Sequence, residues 1–284
     1  MIDTCYLNTS ILRFDPSKLE PASGSDALIL DLEDAVHIRD KARARSRLST
    51  LDVSGVQPEG LTIGVRINSI RTQEGFLGIA AFPRSEACLG RLSFIQLPKV
   101  EDKSDVEICR SVLSSKFPSV KIIPIIETPA GVEAVDRIAA VSDAMMFGRV
   151  DLSASLYRAN PAYVAYARGK FCAACARHSI AAIDTANFST RSQILDAAEF
   201  ELDCLAALEE GFTSRAVVHP NQIPVAKRVF TAPLLNIAEH DEVIEQYNQA
   251  QMGFSVSNDR IIAPPFVAHA KMMLRLYRPE TTQW

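Results

Sequence analysis

The stretch KIIPIIETPAGVEAVDRIAA, residues 121–140, holds the key to the fold. After Lys121 the next five residues form an apolar run without polar alternation, the pattern of a strand covered on both faces. Glu127 follows at once. Then come Thr128, Pro129, Ala130 and Gly131, with Val132, Val135, Ile138 and Ala139 at helical spacing. Proline near the first turn starts a helix without losing a needed donor. A buried strand, an acid and a helix in direct succession make one β/α unit with a charge at the strand's C-terminal end.

The same rhythm repeats on either side. Aliphatic runs at 6–8, 27–31, 61–66, 92–97, 144–147, 180–183 and 216–218 bring the number of expected strands to eight, roughly thirty residues apart. Helical patterns cover 35–48, 105–113, 130–140 and 192–210. Eight unalternated strands separated by helices predict an α/β chain closed into a TIM (β/α)8 barrel. The rival is an open doubly wound sheet, but no Gly-x-Gly-x-x-Gly follows the first strand. From Pro220 onward no ninth strand is expected. Helical stretches at 223–229 and 239–251, a proline-containing segment at 258–266 and a last helix to about Leu276 read as an appendage. The expected division is a barrel over 1–222 and a C-terminal helical extension or lid over 223–284.

Composition narrows the function. The 284 residues are 48% apolar, with mean hydropathy +0.06, enough for a large core. Thirty basic against 34 acidic residues give a net charge of -4, which disfavours a nucleic-acid partner. No apolar run reaches the ~18 residues of a membrane span. The first residues carry acids and no signal-peptide pattern, so a cytoplasmic protein is expected. Six cysteines, at 5, 88, 109, 172, 175 and 204, read as reduced. Cys172, Cys175 and His178 lie at i, i+3, i+6 of a helix, a poor zinc site, so the two cysteines read as buried.

Ionisable residues recur where the expected strands end. Asp31, Glu33 and Asp34 follow the second strand, Arg66 the third, and Lys99 and Glu101 the fourth. Glu127 follows the fifth, Asp151 the sixth, Asp184 the seventh and His219 the eighth. The active face of such a barrel is that end. Glu127 and Asp151 form an oxygen-donor pair suited to Mg2+. Arg66 offers a planar fork for a substrate carboxylate. Together they can hold a 2-oxo acid at two points and stabilise an enolate. Each residue also has a structural alternative. Asp31, Glu33 and Asp34 can cap the helix at 35–48, and Arg66 can pair with them. Asp151 can cap a short helix, His219 can fix a turn, and Lys99 reads as a rim residue rather than a Schiff-base lysine.

Six motifs carry a resemblance: GSDALILDLEDAV (24–36), VRIN (65–68), LPKVE (97–101), IIETPAGV (125–132), FGRVDLSASL (147–156) and GFTSRAVVHPNQI (211–223). In order and spacing they resemble the citrate lyase beta-subunit-like branch of the HpcH/HpaI aldolase family. The resemblance implies a TIM barrel, a homotrimer and Mg2+. It implies a carbon–carbon lyase that cleaves or forms 3-hydroxyacyl-CoA thioesters such as citryl-, malyl- or citramalyl-CoA, with an oxo acid as the other partner. By motif, Glu127 and Asp151 would hold the metal, and Arg66 would bind the oxo-acid carboxylate. Asp31, Glu33 and Asp34 would line the site and hold metal-bound water or Arg66. Arg66, Glu127 and Asp34 are then the expected catalytic set, and Arg66, Glu127, Asp31 and Glu33 the substrate-binding set. An aldolase on free 2-oxo acids and a non-catalytic, ligand-binding barrel are the alternatives. Three positions depart from the family pattern. Residues 4–9 replace an Arg-Ser pair and a Leu-Phe-x-Pro strand end, Tyr157 replaces a glycine, and Ala263 replaces an aspartate.

Overall fold

The computed structural model describes residues 3–15, 24–51, 53, 61–81, 92–114, 117–186, 190–250, 253–257 and 260–278. Strands β1 (Cys5–Ser10), β2 (Ala27–Asp31), β3 (Thr62–Arg66), β4 (Leu92–Leu97), β5 (Lys121–Ile126), β6 (Ala144–Phe147), β7 (Ala181–Thr185) and β8 (Ser214–Val217) pair in parallel and in chain order. β8 returns to β1, which closes the barrel. The unalternated runs follow from this: all five residues of β2 and all four of β6 are buried, one face by the barrel interior and the other by helices. The helices are α1 (Lys41–Thr50), α2 (Gln73–Ala81), α3 (Lys103–Ser114), α4 (Pro129–Ala139), α5 (Arg149–Ala154), α6 (Pro161–Arg177), α7 (Arg191–Leu195), α8 (Ala197–Glu209) and α9 (Ile223–Leu235).

Two of the expected barrel helices differ, and α2 and α6 stand where no helix is expected. The one expected over 35–48 begins at Lys41, after a 3-10 turn at Ile38–Asp40. The pattern at 192–210 is two helices, because Asp196 ends α7 and caps α8 by accepting from Ala198 and Glu199 N–H. Around the key stretch the reading holds. Thr128 caps α4 through Gly131 N–H, and Pro129 opens the helix. Gly131 is required there, since a Cβ would lie 2.4 Å from the Val100 carbonyl.

The chain divides into two compact units, one spanning Asp3–Val229 and the other taking the chain from Phe230 onward. The second holds α10 (Ile237–Gln249), α11 (Pro264–Tyr277) and a hairpin of β9 (Ser255–Ser257) and β10 (Arg260–Ile262). This hairpin corrects the expectation of no strand after Pro220. Ile244, Ile262, Val267, Ala270 and Leu274 form the core of that unit. Ala263 is the N-cap of α11 and has no side-chain oxygen to offer it. Residues 258 and 259 of the expected lid segment lie outside the described residues. Cys5, Cys109, Cys172, Cys175 and Cys204 are free and buried; Cys88 lies outside the described residues. Burial pushes the Cys172 thiol up to about 12, and His178 meets Asp136 instead, at 3.2 Å. Among the described residues no helix is long and apolar enough to cross a membrane.

Candidate active site

Asp31 is the last residue of β2, fully buried and fully bonded. Its Oδ1 accepts from Glu33 N–H (2.7 Å) and Arg66 Nε (2.8 Å). Its Oδ2 accepts from Ala35 N–H (3.0 Å) and Arg66 Nη2 (2.5 Å). The backbone bonds hold residues 33–35 in a turn, which is why α1 starts late. The acidic trio therefore does not cap α1, whose N-cap is Asp40. The turn is pinned from below by Lys41. Its buried ammonium donates to the Leu32 and Glu33 carbonyls at 2.9 and 2.6 Å. Sequence reading missed this lysine, which on a helical wheel resembles the basic residues around it.

Arg66 ends β3 on the same inward side. Its Nη1 lies 3.1 Å from Glu33 Oε2. Burial opposes the guanidinium charge, and Asp31 and Glu33 outweigh it, so Arg66 is held above its usual range. Two of its five N–H groups are committed to Asp31. Glu33 is buried and therefore raised, against the pull of Arg66. Asp34 is exposed and lines the cavity.

Lys99 belongs to the centre of the cluster. Its backbone has φ +56°, a left-handed conformation unusual for a side chain of this size. That turn aims its N–H at Glu127 Oε1, 2.9 Å away. Its ammonium reaches Glu33 at 2.5 Å, Glu127 at 3.8 Å and Asp151 at 3.7 Å. Burial works against that charge, and Glu127 and Glu33 more than restore it. The side chain is 40% exposed, so the rim reading describes its position but not its contacts.

Glu127 stands one residue beyond β5 and is 3% exposed. It packs onto Gly148, where a Cβ would lie 2.4 Å from Glu127 Oε2 and 2.6 Å from Glu127 Cβ. Only glycine fits there. Burial, then the nearby Asp151 and Glu33, push the Glu127 carboxyl up to about 8. Asp151 lies in the first turn of α5, so its place on the helix and its approach to Lys99 coexist.

Three strand-end residues go elsewhere. Asp184 faces away from the interior, because its neighbour Thr185 lines the cavity and successive side chains alternate. It is fully buried between Arg168 and Arg215. His219 Nδ1 accepts from Asn221 N–H and fixes the turn at Pro220–Gln222. Glu101 pairs with Arg71 at 3.3 Å.

The cluster opens onto a cavity of about 250 Å3, whose polar end is formed by Asp34, Arg66, Glu127 and Asp151. Among the described residues no three His, Cys, Asp or Glu side chains converge as a metal cage. Glu127 and Asp151 are a two-carboxylate, oxygen-only donor set beside which a lysine cation already sits. This suits Mg2+, which takes one or two carboxylates and keeps the remaining positions for water and substrate.

A model of the HpcH/HpaI aldolase/citrate lyase family matches residues 17–220. The chain is 28% identical to a (3S)-malyl-CoA thioesterase of Cereibacter sphaeroides, over 93% of each chain. It is 25% identical to an L-malyl-CoA/beta-methylmalyl-CoA lyase of the same species, over 89% of this chain and 88% of the other. It also resembles the citrate lyase beta subunit of Mycobacterium tuberculosis, solved with oxaloacetate and magnesium: 25% identity, TM-score 0.64, 80% of this chain and 96% of the other. With the matched region spanning most of the barrel, the chain belongs to the HpcH/HpaI aldolase/citrate lyase family and is an enzyme of its carbon–carbon lyase class.

Proposed function

We propose that the protein is a Mg2+-dependent lyase that cleaves or forms a 3-hydroxyacyl-CoA thioester such as malyl-, citramalyl- or citryl-CoA. The observation that supports this best is the meeting of Glu33, Glu127 and Asp151 around one cation at the mouth of a cavity that also contains Arg66. Glu127 and Asp151 are the proposed metal ligands. Bound Mg2+ would polarise the substrate oxygen and neutralise charge that develops on it. Arg66, set by Asp31 and Glu33, turns its remaining N–H groups to the oxo-acid carboxylate. Asp34, the exposed acid of the trio, takes the hydroxyl proton. The hydroxyl carbon becomes the carbonyl of the departing oxo acid as the C–C bond breaks. The bonding pair passes to the thioester enolate, which is then protonated to the acyl-CoA. A homotrimer and a cytoplasmic location belong to the same proposal.

A second reading comes from the thioesterase relative and from Ala263, which replaces a family acid with a side chain that carries no proton. It is hydrolysis of the malyl thioester. The test is a mass-spectrometric screen of the three CoA thioesters and of free 4-hydroxy-2-oxo acids, with Mg2+, for wild type and Ala263→Asp. Release of oxo acid plus acyl-CoA is expected. Release of the free hydroxy acid plus CoA would replace the lyase reading by the thioesterase. Turnover of the free acids alone would move the enzyme to the aldolases. Stability is measured alongside, because Ala263→Asp also supplies the missing cap of α11.

A further inference from the structure

The cavity continues below its charged end. Tyr6 of β1 and Phe94 of β4 meet edge-on inside the barrel, with ring centroids 5.9 Å apart. Phe94 has this room because residue 64 is glycine: a Cβ there would lie 2.1 Å from the ring. Side chains two apart on a strand share a face. Asn8 and Gln96 therefore stand one layer above this aromatic plug, and both line the cavity. The walls beside them include Ile29, Ile125, Met146 and Ala216. Gln96 is 1% exposed, and its Nε2 donates to Met146 Sδ, a weak acceptor, at 3.6 Å. Gln96 Oε1 and Asn8 Oδ1 are both buried without a hydrogen-bond partner among the described residues.

An amide left unpaired among apolar walls is unfavourable, and a ligand that completes its bonding removes that penalty. We propose that Asn8 and Gln96 form the specificity floor of the site and take a neutral hydroxyl at the far end of the oxo acid. The inference rests on the oxo-acid reading above and narrows its substrate class: the oxo acids of malyl-, citramalyl- and citryl-CoA carry no such hydroxyl, so the floor favours a hydroxylated homologue of them. A primary amide offers both N–H and carbonyl oxygen, and a hydroxyl is the small group that both gives and takes. An alkyl end would leave both amide oxygens unpaired. A second carboxylate would bring negative charge to a floor without its own cation, since the free N–H groups of Arg66 are taken by the first carboxylate and Lys99 is held by Glu33.

Two probes isolate the floor: 3-hydroxypyruvate and 2-oxobutanoate, which differ by a hydroxyl in place of a methyl. Calorimetry with Mg2+ is expected to show wild type binding 3-hydroxypyruvate about tenfold or more tighter, one hydrogen bond's worth of preference. Asn8→Leu combined with Gln96→Met is expected to erase or reverse that preference, with an unchanged or higher melting temperature. Gln96→Met alone carries the same expectation at smaller size, should the double variant fail to fold. Equal wild-type affinities overturn the floor and leave the oxo-acid site standing; a water bridging the two amides would give this result. A preference that survives the substitutions also overturns it. Absence of binding by either acid, with or without Mg2+, overturns both the floor and the oxo-acid reading.

Discussion

Two charge clusters lie on opposite faces of the barrel sheet, one behind β7 and β8 and one at the ends of β2 to β6, and they differ in balance. Behind β7 and β8, Asp184, Asp203 and Glu210 meet Arg168, Arg215 and Arg149, three carboxylates to three guanidiniums. Arg168 and Arg215 also lie over the rings of Phe212 and Phe200. Inside the barrel mouth, the five acids Asp31, Glu33, Asp34, Glu127 and Asp151 outnumber Arg66, Lys99 and the neighbouring Lys41. The back cluster is balanced, with Asp184, Arg168 and Arg215 buried at its centre. The front cluster is short of positive charge and open to a cavity. One completes itself; the other keeps carboxylate to spare for the proposed cation.

The largest effects should separate the two. Glu127→Gln is expected to lower kcat/KM by about 10³-fold, as removal of a transition-state electrostatic contact does, with stability within about 1 kcal/mol of wild type. Asp184→Asn is expected to do the reverse. It leaves Arg168 and Arg215 buried without their shared partner, at a cost of about 3–5 kcal/mol. Activity per folded molecule should stay within a few-fold. Urea denaturation and steady-state kinetics on both variants check this. A stable but inactive Asp184→Asn would erase the distinction.

Arg66 belongs to both kinds of chemistry, since it is tied to Asp31 yet lines the cavity. Arg66→Lys keeps the charge and loses the fork. A charge-assisted hydrogen bond contributes about 1.5–3 kcal/mol, so kcat/KM should fall by roughly one to two orders of magnitude. A structural role alone would lower the melting temperature and leave the kinetics of the folded fraction intact.

The barrel and part of its mouth are legible in the sequence. Eight unalternated runs carried the barrel, because burial on both faces leaves no polar period to confuse. Strand ends carried Glu127 and Arg66. Its position groups Asp184 with them, although strand parity separates it: Ile183 and Thr185 share one face, and Asp184 takes the other. The late start of α1 was hidden, because it depends on Asp31 bonding to N–H groups two and four residues on. Lys41 and Lys99 were hidden for a related reason. A lysine's burial is decided by carbonyls and carboxylates that arrive from other elements. The strands β9 and β10, three residues each, are too short to show a period.

The smallest prediction tests carboxylate surplus where no ligand is involved, around β1 and β2. Asp26 accepts from Thr4 and pairs with Lys227, and these hydrogen bonds lower it despite its burial. For Asp3 the balance runs the other way. Burial, then Asp26, raise it to about 6 from its ordinary 3.8, against its hydrogen bond from Thr62 and the charge of Lys121. A carboxyl raised on folding binds its proton more tightly in the native state. Its contribution is therefore complete below about pH 4 and is lost as pH rises through 6. Asp3→Asn keeps an acceptor for Thr62 and cannot ionise. Its stability should match wild type at pH 4 and exceed it at pH 7.5 by about 1 kcal/mol, the full shift being discounted for solvent screening. Thermal melts at the two pH values read the difference directly. A gap of the same size at both would mean that the substituted amide acts through packing, and that surplus charge outside the cavity carries no cost.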